Sequence, residues 1–283
     1  MSVREEGVSG GGGAEVGRPA ETGGAVPDGW SRDRPDGPSR AQTPVSPVTA
    51  VVLDLDGTLL DHDGSARAAL AAWLPSLGVE ATDDLVTAWF VAEERHFSAW
   101  RSREISFAEQ RRRRLRDVLP LAGLGGDLGV DLESDAALDE VFAGYAAHYA
   151  ASWTAYDDVG PLLAALQDLP VRPAVLTNGT DEQQHAKLRA VGLLGRLGPV
   201  FTADGLGVAK PDPQSYLRVC AALEVDPRHA LHVGDRYDLD VVAARAAGLQ
   251  AVHLDRTGQG PHDEPARITS LAELAELVLR VGA

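Results

Sequence analysis

The sequence predicts an α/β fold in which a parallel sheet is interrupted by one large helical insertion. Five short runs of apolar or β-branched residues alternate with segments of helical period, and their near-continuous apolarity is typical of strands buried on both faces of a parallel sheet. The exception is the interval 61–156, which carries helical patterns throughout and must pack as a unit of its own. The predicted strands are residues 50–55, 173–176, 199–202, 230–233 and 251–254.

Helix signals fill the intervals between the later strands. Directly after the insertion, apolar residues recur at i, i+3, i+4 and i+7, which places them on one face of a helix. These residues are Val159, Leu162, Leu163 and Leu166. Further helix starts carry capping signals, because a short polar side chain there can accept hydrogen bonds from the first backbone N–H groups. The signals are Thr180 with Gln183, Ser270 with Glu273, and Asp212 followed by Pro213.

Two stripes at helical spacing identify the insertion as a small helical cap domain. The stripes are Leu85, Trp89, Ala92, His96 and Ala99, and then Phe142, Tyr145 and Tyr149. At the other extreme, residues 1–48 are rich in Gly, Pro, Ser and charge and have few large apolar side chains to offset the entropy of ordering. We therefore predict a disordered tail over 1–48, an α/β core formed by 49–60 and 157–283, and a helical cap over 61–156.

Composition excludes several classes of partner. The net charge of −16 and the pI of 4.8 oppose broad attraction to nucleic acid or to an anionic membrane, because both are negative themselves. The single cysteine, Cys220, excludes an intramolecular disulfide and agrees with a reducing compartment. No apolar run approaches the roughly 20 residues of a membrane-spanning helix, and residues 1–48 lack the apolar segment of a signal peptide. We expect a cytoplasmic protein whose partners are small molecules.

Two acids, Asp54 and Asp56, stand where the first predicted strand meets the turn residue Gly57. Side chains alternate along a strand, so both acids face one side, at the carboxyl end of the sheet where α/β proteins bind ligands. One carboxylate can attack phosphorus while the other protonates the leaving oxygen and later activates water. Two neighbouring anions would repel a phosphorylated substrate, so this chemistry requires a cation. Mg²⁺, which prefers oxygen ligands, fits such a site.

Residues 54–58, Asp-Leu-Asp-Gly-Thr, resemble the first motif of the haloacid dehalogenase superfamily, whose members are mostly phosphatases. The second strand ends in Thr177 and Asn178, which are similar to the second motif, where a hydroxyl and the following backbone N–H groups hold the phosphoryl oxygens. A helix that begins at Thr180 would add its positive end to this site. The resemblance therefore assigns phosphate binding to Thr177 and Asn178, and a part in catalysis to Thr177.

Two later segments resemble the remaining motifs of the superfamily. Lys210, within Val-Ala-Lys-Pro-Asp-Pro, matches the third motif and would balance the negative charge shared by the nucleophile and the phosphoryl group. The segment 234–240, Gly-Asp-Arg-Tyr-Asp-Leu-Asp, matches the fourth. This match implies that Asp235 is a direct metal ligand, and that Asp240 either binds the metal through water or orients Lys210.

The four motifs occur in the family's order, each at the end of a separate predicted strand, and the resemblance covers the chain from residue 49 onward. It implies a doubly wound, Rossmann-like core with an inserted α-helical cap of the first type. It also implies hydrolysis of a small phosphomonoester through an aspartyl phosphate on Asp54, with Asp56 as general acid and then base. The implied magnesium ligands are Asp54, the backbone carbonyl of Asp56, Asp235 and Asp240.

Other functions stay open at this level. A haloacid dehalogenase would attack carbon and need no Mg²⁺, but in the family pattern dehalogenases lack an acid at the position of Asp56. Phosphomutases keep that acid, so the sequence does not separate a mutase from a phosphatase. A protein that binds a phosphorylated ligand for regulation, without turnover, is the non-enzyme alternative. The sequence does not identify the substrate or the oligomeric state.

The run of arginines at 111–114 has two readings. It is either a solvated basic patch that pairs with carboxylates of the cap, or a site where guanidinium groups recognise an anionic part of the substrate through bidentate contacts. Four consecutive residues spread around a helix, so the run does not form a single basic face for nucleic acid.

Overall fold

The computed structural model describes residues 47–125 and 129–282, and its centre is a parallel sheet of six strands in the order β3-β2-β1-β4-β5-β6. Strand β1 lies in the middle, so its carboxyl end is flanked by those of β2 and β4. The predicted tail falls outside the described residues except for its last two positions. The strands are β1 Ala50–Leu53, β2 Arg172–Thr177, β3 Val200–Thr202, β4 Ala230–Gly234, β5 Gln250–Leu254 and β6 Arg267–Ile268.

Helices occupy the connections between these strands. The four between β1 and β2 that form the insertion are α1 His62–Ser76, α2 Asp83–Arg101, α3 Phe107–Val118 and α4 Asp135–Ala151. The core helices are α5 Val159–Gln167, α6 Asp181–Ala190, α7 Ala203–Leu206, α8 Pro213–Ala222, α9 Ala243–Ala246 and α10 Ala272–Gly282. A short 3₁₀ helix, Pro227–His229, precedes β4, and a π-helical segment, Tyr237–Val242, follows it. In the part of the chain that the structure describes, no helix is both long and apolar enough to cross a membrane.

Strand β1 shows why the sheet is covered on both faces. Val51 and Leu53 pack in a cluster with Leu162 of α5, while the alternate residues of the strand pack in a second cluster with Tyr216 of α8. Burying an aliphatic side chain of this kind stabilises the fold by roughly 1.5–3 kcal/mol. Helices on both faces of a parallel sheet make the core doubly wound, and the predicted α/β class is confirmed.

The insertion has a hydrophobic cluster of its own, to which α1, α2, α3 and α4 all contribute. Its centre is aromatic: the Trp89 ring lies 5.6 Å from that of Trp73 and 4.3 Å from that of Tyr145, measured between centroids. Of the two predicted stripes, all members except Ala99 are buried. An inserted helical cap is therefore confirmed as part of the fold.

The predicted helix starts agree with the structure. The Thr180 hydroxyl accepts from the N–H of Gln183, and the Asp212 carboxylate accepts from the N–H of Gln214 at the start of α8. Near α10, the Glu273 carboxylate accepts from the N–H of Ser270. Each start therefore satisfies backbone donors that the helix itself leaves unpaired.

Two predictions about strands were wrong in detail. The first strand ends at Leu53, not at residue 55, because the chain winds there and the Leu55 carbonyl accepts from the N–H groups of Leu59 and Leu60. The prediction also missed β6, whose two residues, one of them charged, are too short to form an apolar run. The turn after Leu53 matters for function because it carries both predicted catalytic acids.

Candidate functional site

A single cavity of 920 Å³ lies over the carboxyl ends of the central strands, and core and cap residues line it together. Every site residue predicted from the sequence lines this cavity. These residues are Asp54, Asp56, Thr177, Asn178, Lys210, Asp235 and Asp240. They come from four separate segments of the chain, and the parallel sheet brings them together because its central strands end at one edge.

Lys210 is the buried cation of the site. Its ammonium lies 2.6 Å from a carboxylate oxygen of Asp54 and 2.6 Å from one of Asp240. The two carboxylates raise the pKa of Lys210 although burial alone would lower it. Burial in turn raises the pKa of Asp54 to about 6, and the charge of Lys210 limits this rise. The pair thus places a permanent positive charge beside the predicted nucleophile.

Asn178 holds the backbone of Lys210 in place. Its side-chain amide donates to the Lys210 carbonyl at 2.9 Å, and its oxygen accepts from the Lys210 N–H at 2.9 Å. These two bonds join the end of β2 to the loop before α8. The Asn178 side chain is therefore engaged in positioning Lys210, and its binding of a phosphoryl group stays a prediction.

Asp240 is fully engaged by protein groups. Besides Lys210, its carboxylate accepts from the N–H of Arg236 at 2.9 Å and lies 3.0 Å from Nε2 of His232. Burial alone would raise its pKa, but Lys210 and His232 hold it well below the ordinary value. Of its two predicted roles, this geometry favours the orientation of Lys210 over metal binding through water.

The environment of Asp235 shifts its pKa in the opposite direction to that of Asp240. Its carboxylate accepts from the Thr58 hydroxyl at 3.2 Å, and burial together with the negative charges of Asp54 and Asp240 raises its pKa well above the ordinary value. One carboxylate oxygen from each of the three aspartates lies within 4.8 Å of the other two. Oxygen donors crowded in this way, with excess negative charge, fit a divalent cation that prefers oxygen ligands.

Gly57 leaves space for the side chain of Asp235 because it has no Cβ. Its backbone has φ +86°, and a Cβ built on it would lie 2.4 Å from a carboxylate oxygen of Asp235. A side chain at this position would therefore be strained by the backbone and would displace Asp235. The glycine of the first motif is required both by the turn and by the acid from the fourth motif.

Asp56 contacts two side chains of α6. The Lys187 ammonium lies 2.7 Å from both of its carboxylate oxygens, and the Gln184 amide donates to it at 3.0 Å. Burial alone would raise the pKa of Asp56, but Lys187 lowers it below the ordinary value. The same Gln184 amide also contacts the Thr177 hydroxyl at 2.7 Å, so one side chain connects the predicted acid to the predicted phosphate site.

Sequence reasoning missed Lys187 and Gln184. A signal was present, since with Leu188 they occupy positions i, i+3 and i+4 of α6, the spacing of a core-facing stripe, and all three are buried. A lysine and a glutamine on such a stripe must find polar partners inside the protein. Their partner Asp56 lies far away in sequence, which is why the pattern alone did not identify the contact.

A chain of polar contacts continues from Lys187 into the cap. The Lys187 ammonium lies 5.4 Å from the centroid of the Tyr149 ring, and the Tyr149 hydroxyl is 2.7 Å from Nδ1 of His62. Nε2 of His62 lies 3.6 Å from Glu93, which also pairs with Arg114 at 3.1 Å. Glu93, with Asp56, raises the pKa of His62 even though burial opposes the rise. The predicted acid is thus connected to cap helices through a partly buried network.

Comparison with known proteins gives a family. The model for haloacid dehalogenase-like hydrolases matches residues 48–248. A phosphoglycolate phosphatase from Nitrosospira multiformis is 32% identical over 71% of this chain and 81% of its own. An (S)-2-haloacid dehalogenase from Burkholderia cepacia is 33% identical, over 45% of this chain and 56% of its own. Two further curated phosphatases are matched over only 44% and 43% of their own length.

The fold has a close counterpart among solved structures. The HAD-hydrolase YfnB from Bacillus subtilis, in a structure bound to magnesium, superposes with a TM-score of 0.69 at 21% identity. The match covers 82% of this chain and 99% of that one. At this level of identity the likeness concerns the fold, and both the sheet and the inserted helices take part in it.

Proposed function

Because this chain belongs to the haloacid dehalogenase-like hydrolase family, we propose that it is a magnesium-dependent phosphatase that hydrolyses a small organic phosphomonoester through an aspartyl phosphate on Asp54. The substrate is a small phosphorylated metabolite, and the helices over residues 61–156 act as the cap above a core formed by 49–60 and 157–283. Relatives with phosphatase activity in their names support this proposal.

The observation that carries the proposal is the presence of two acids, Asp54 and Asp56, that line one cavity with a buried lysine beside the first. A nucleophile that attacks carbon and expels halide needs no proton donor for its leaving group. A phosphomonoester releases an alkoxide, which does need one. The polar contacts that Asp56 makes with Lys187 and Gln184 therefore favour phosphoryl chemistry over dehalogenation.

In the first step, an Asp54 carboxylate oxygen attacks phosphorus, the ester P–O bond breaks, and Asp56 protonates the departing oxygen to give an alcohol. Lys187 holds Asp56 as a carboxylate in the free protein. The arrival of a phosphoryl dianion raises the pKa of Asp56 because like charges disfavour ionisation, so Asp56 takes up from solvent, as the substrate binds, the proton that it then delivers to the leaving oxygen. In the second step, Asp56 takes a proton from water, the water oxygen bonds to phosphorus, and the P–O bond to Asp54 breaks. Inorganic phosphate and free Asp54 result.

Electrostatic stabilisation falls to groups around the nucleophile. Lys210 balances the charge shared by Asp54 and the phosphoryl group, and the turn after β2 supplies the Thr177 hydroxyl and backbone N–H groups. Mg²⁺ held by Asp54, Asp235 and the backbone carbonyl of Asp56 would add positive charge against the phosphoryl oxygens. Asp240 would contribute by keeping Lys210 in position.

The test is phosphate release from a panel of small phosphomonoesters, with Mg²⁺ and with chelator, for the wild type and for Asp54→Asn. We expect release that requires Mg²⁺ and that the variant loses almost completely while its thermal unfolding stays cooperative. Substantial turnover by Asp54→Asn would rule out Asp54 as the nucleophile. Halide release from haloacids would indicate a dehalogenase instead of a phosphatase. Isomerisation of a sugar phosphate without release of free phosphate would indicate a mutase.

A further inference from the structure

The arginines on and around α3 divide into two groups by their partners. Those on the outer face pair with carboxylates of the cap at 2.5–3.2 Å, as the solvated reading of the run predicts. These are Arg112 with Asp135 and Asp139, Arg113 with Glu109, and Arg116 with Glu109 and Asp135. Their charges are satisfied within the cap, so they do not call for a ligand.

Arg111 and Arg114 point the other way and line the cavity. Arg114 is buried and has an ionic partner, Glu93, at 3.1 Å. Arg111 differs: within residues 47–125 and 129–282, no carboxylate oxygen lies within 4.0 Å of its guanidinium. Its one polar contact there is with the Gln183 side-chain oxygen at 3.5 Å, the outer limit of a hydrogen bond.

The guanidinium of Arg111 is nevertheless held in a defined place. It lies over the Phe107 ring at 4.4 Å and over the Phe142 ring at 5.0 Å, measured to the centroids. Burial and the neighbouring charge of Arg114 lower its pKa, while Asp139 and Glu182 oppose this only at longer range. Arg111 is thus a half-buried, oriented cation whose charge no carboxylate of the described residues balances by direct contact.

We propose that Arg111 binds a second anionic group of the substrate, a carboxylate or a further phosphate, at the end remote from the phosphoryl group that is transferred. This proposal rests on the phosphatase function above and specifies its substrate class. A guanidinium matches either anion through two parallel N–H···O bonds. The Phe107 and Phe142 rings, which lie against the guanidinium, supply the orientation that such a two-pronged contact requires.

The position of Arg111 suits a group on the same small molecule. Gln183, which it contacts, is adjacent to Gln184, and Gln184 contacts both Thr177 and Asp56. The cap side of the cavity at Arg111 therefore faces the first turn of α6, beside the phosphoryl site. A cavity of 920 Å³ is far larger than one phosphoryl group, so it leaves room for substrate atoms beyond the core.

The experiment compares matched substrate pairs that differ in one anionic group. Glycerol 3-phosphate is paired with 3-phosphoglycerate, which adds a carboxylate, and fructose 6-phosphate with fructose 1,6-bisphosphate, which adds a phosphate. The two pairs distinguish the sources of the anion. We measure kcat/KM for the wild type, for Arg111→Gln, and for Arg113→Gln, a control that removes a cation from the same helix outside the cavity.

We expect the wild type to prefer the member with the second anion in at least one pair, with a kcat/KM higher by roughly tenfold or more, which is the effect of a strong charge-assisted contact. Arg111→Gln should lose this preference through a higher KM for the member with the second anion, with a much smaller change for the member that lacks it. Arg113→Gln should keep the preference. Equal turnover of both members of both pairs by the wild type, or an equal loss in the two variants, would overturn the proposal.

Binding separates a failure of this proposal from a failure of the phosphatase assignment. Calorimetry with Asp54→Asn, in the presence and absence of Arg111→Gln, measures the affinity for both members of each pair without turnover. Wild-type hydrolysis of the esters that lack a second anion, with no preference for those that carry one, would support the phosphatase function and contradict the anion subsite. Absence of all hydrolysis would contradict the phosphatase function. The binding data alone would then test the subsite: Arg111→Gln should weaken binding only of the members that carry a second anion, and an equal effect on both members would overturn the proposal.

Discussion

The Lys187 ammonium lies 2.7 Å from both carboxylate oxygens of Asp56, so the second acid of the site is clamped by a cation from α6. Lys187 is buried, and water does not compete for this contact on the lysine side. The contact keeps Asp56 ionised and in one orientation before a substrate arrives. It also places the proton chemistry of Asp56 under the influence of a residue that belongs to none of the four motifs.

Replacing Lys187 with methionine should therefore damage catalysis more than binding. Without the ammonium, Asp56 loses its orientation, and burial then favours its neutral form, which is unsuited to activating water. We expect kcat for alkyl phosphates to fall about 10²-fold, the lower end of a general acid–base contribution, with KM changed little. Steady-state kinetics measures both. Lys187→Arg is the matched control and should retain much of kcat, whereas equal kcat in wild type and Lys187→Met would show that the contact has no part in turnover.

A second prediction concerns the glycine that faces Asp235. Gly57→Ala places a Cβ 2.4 Å from an Asp235 oxygen, so we expect a large loss of Mg²⁺ affinity and of phosphate release. Gly78→Ala is a close control, because Gly78 also has positive φ, at 77°, but has nothing within 4 Å of the added Cβ. Each variant should lose roughly 1–2 kcal/mol of stability from the backbone. Titration calorimetry with Mg²⁺ should separate them, and similar affinities in the two variants would contradict the assignment of Asp235.

Removing the charge of Lys210 should destabilise the fold as well as stop catalysis. Lys210→Met leaves the buried carboxylates of Asp54 and Asp240 without their common cation, and breaking a buried ion pair in this way costs about 3 kcal/mol or more. Urea unfolding at pH 7 in chelator measures the difference. The double variant Lys210→Met with Asp240→Asn should recover part of the loss, since one orphaned charge is also removed. A single variant as stable as the wild type would mean that the carboxylates are already neutral without Lys210.

His62 should make stability depend on pH. Its folded-state pKa is raised above the ordinary value by Glu93 and Asp56, although burial opposes this. The folded protein therefore binds the His62 proton more tightly than the unfolded chain does. The contribution to stability is fully present below about pH 6.5, the ordinary histidine pKa, and is lost as the pH rises through the folded-state value.

The corresponding measurement is urea unfolding of the wild type and His62→Gln at pH 6 and at pH 9. The difference in unfolding free energy between the two proteins should be larger at pH 6. Glu93→Gln should show a weaker pH dependence than the wild type in the same range, because the anion that attracts the His62 proton is gone. A difference that grows toward pH 9 would reverse the sign of the shift and contradict the proposed network.

The sheet and the four motif positions were accessible to sequence reasoning because they depend on local patterns. Apolar runs such as that of β1 identify buried strands, and the acids after Leu53 follow from position in the sequence alone. Errors occurred where local pattern is weakest, at the end of β1 and at the two-residue strand β6. Both depend on hydrogen bonds to partners outside the segment itself.

What the sequence by itself determined is the order of the strands along the chain, the inserted helices, and the identity of Asp54, Asp56, Lys210 and Asp235 as candidate site residues. Only the tertiary structure decided which charged side chains form ion pairs with each other. It joins Asp56 to Lys187, Asp240 to Lys210, and Glu93 to Arg114, and it leaves Arg111 facing the cavity without a carboxylate in contact among the described residues. The physical reason is that pattern records which face of an element is buried, whereas the strength of an ion pair depends on distances between side chains that are far apart in sequence.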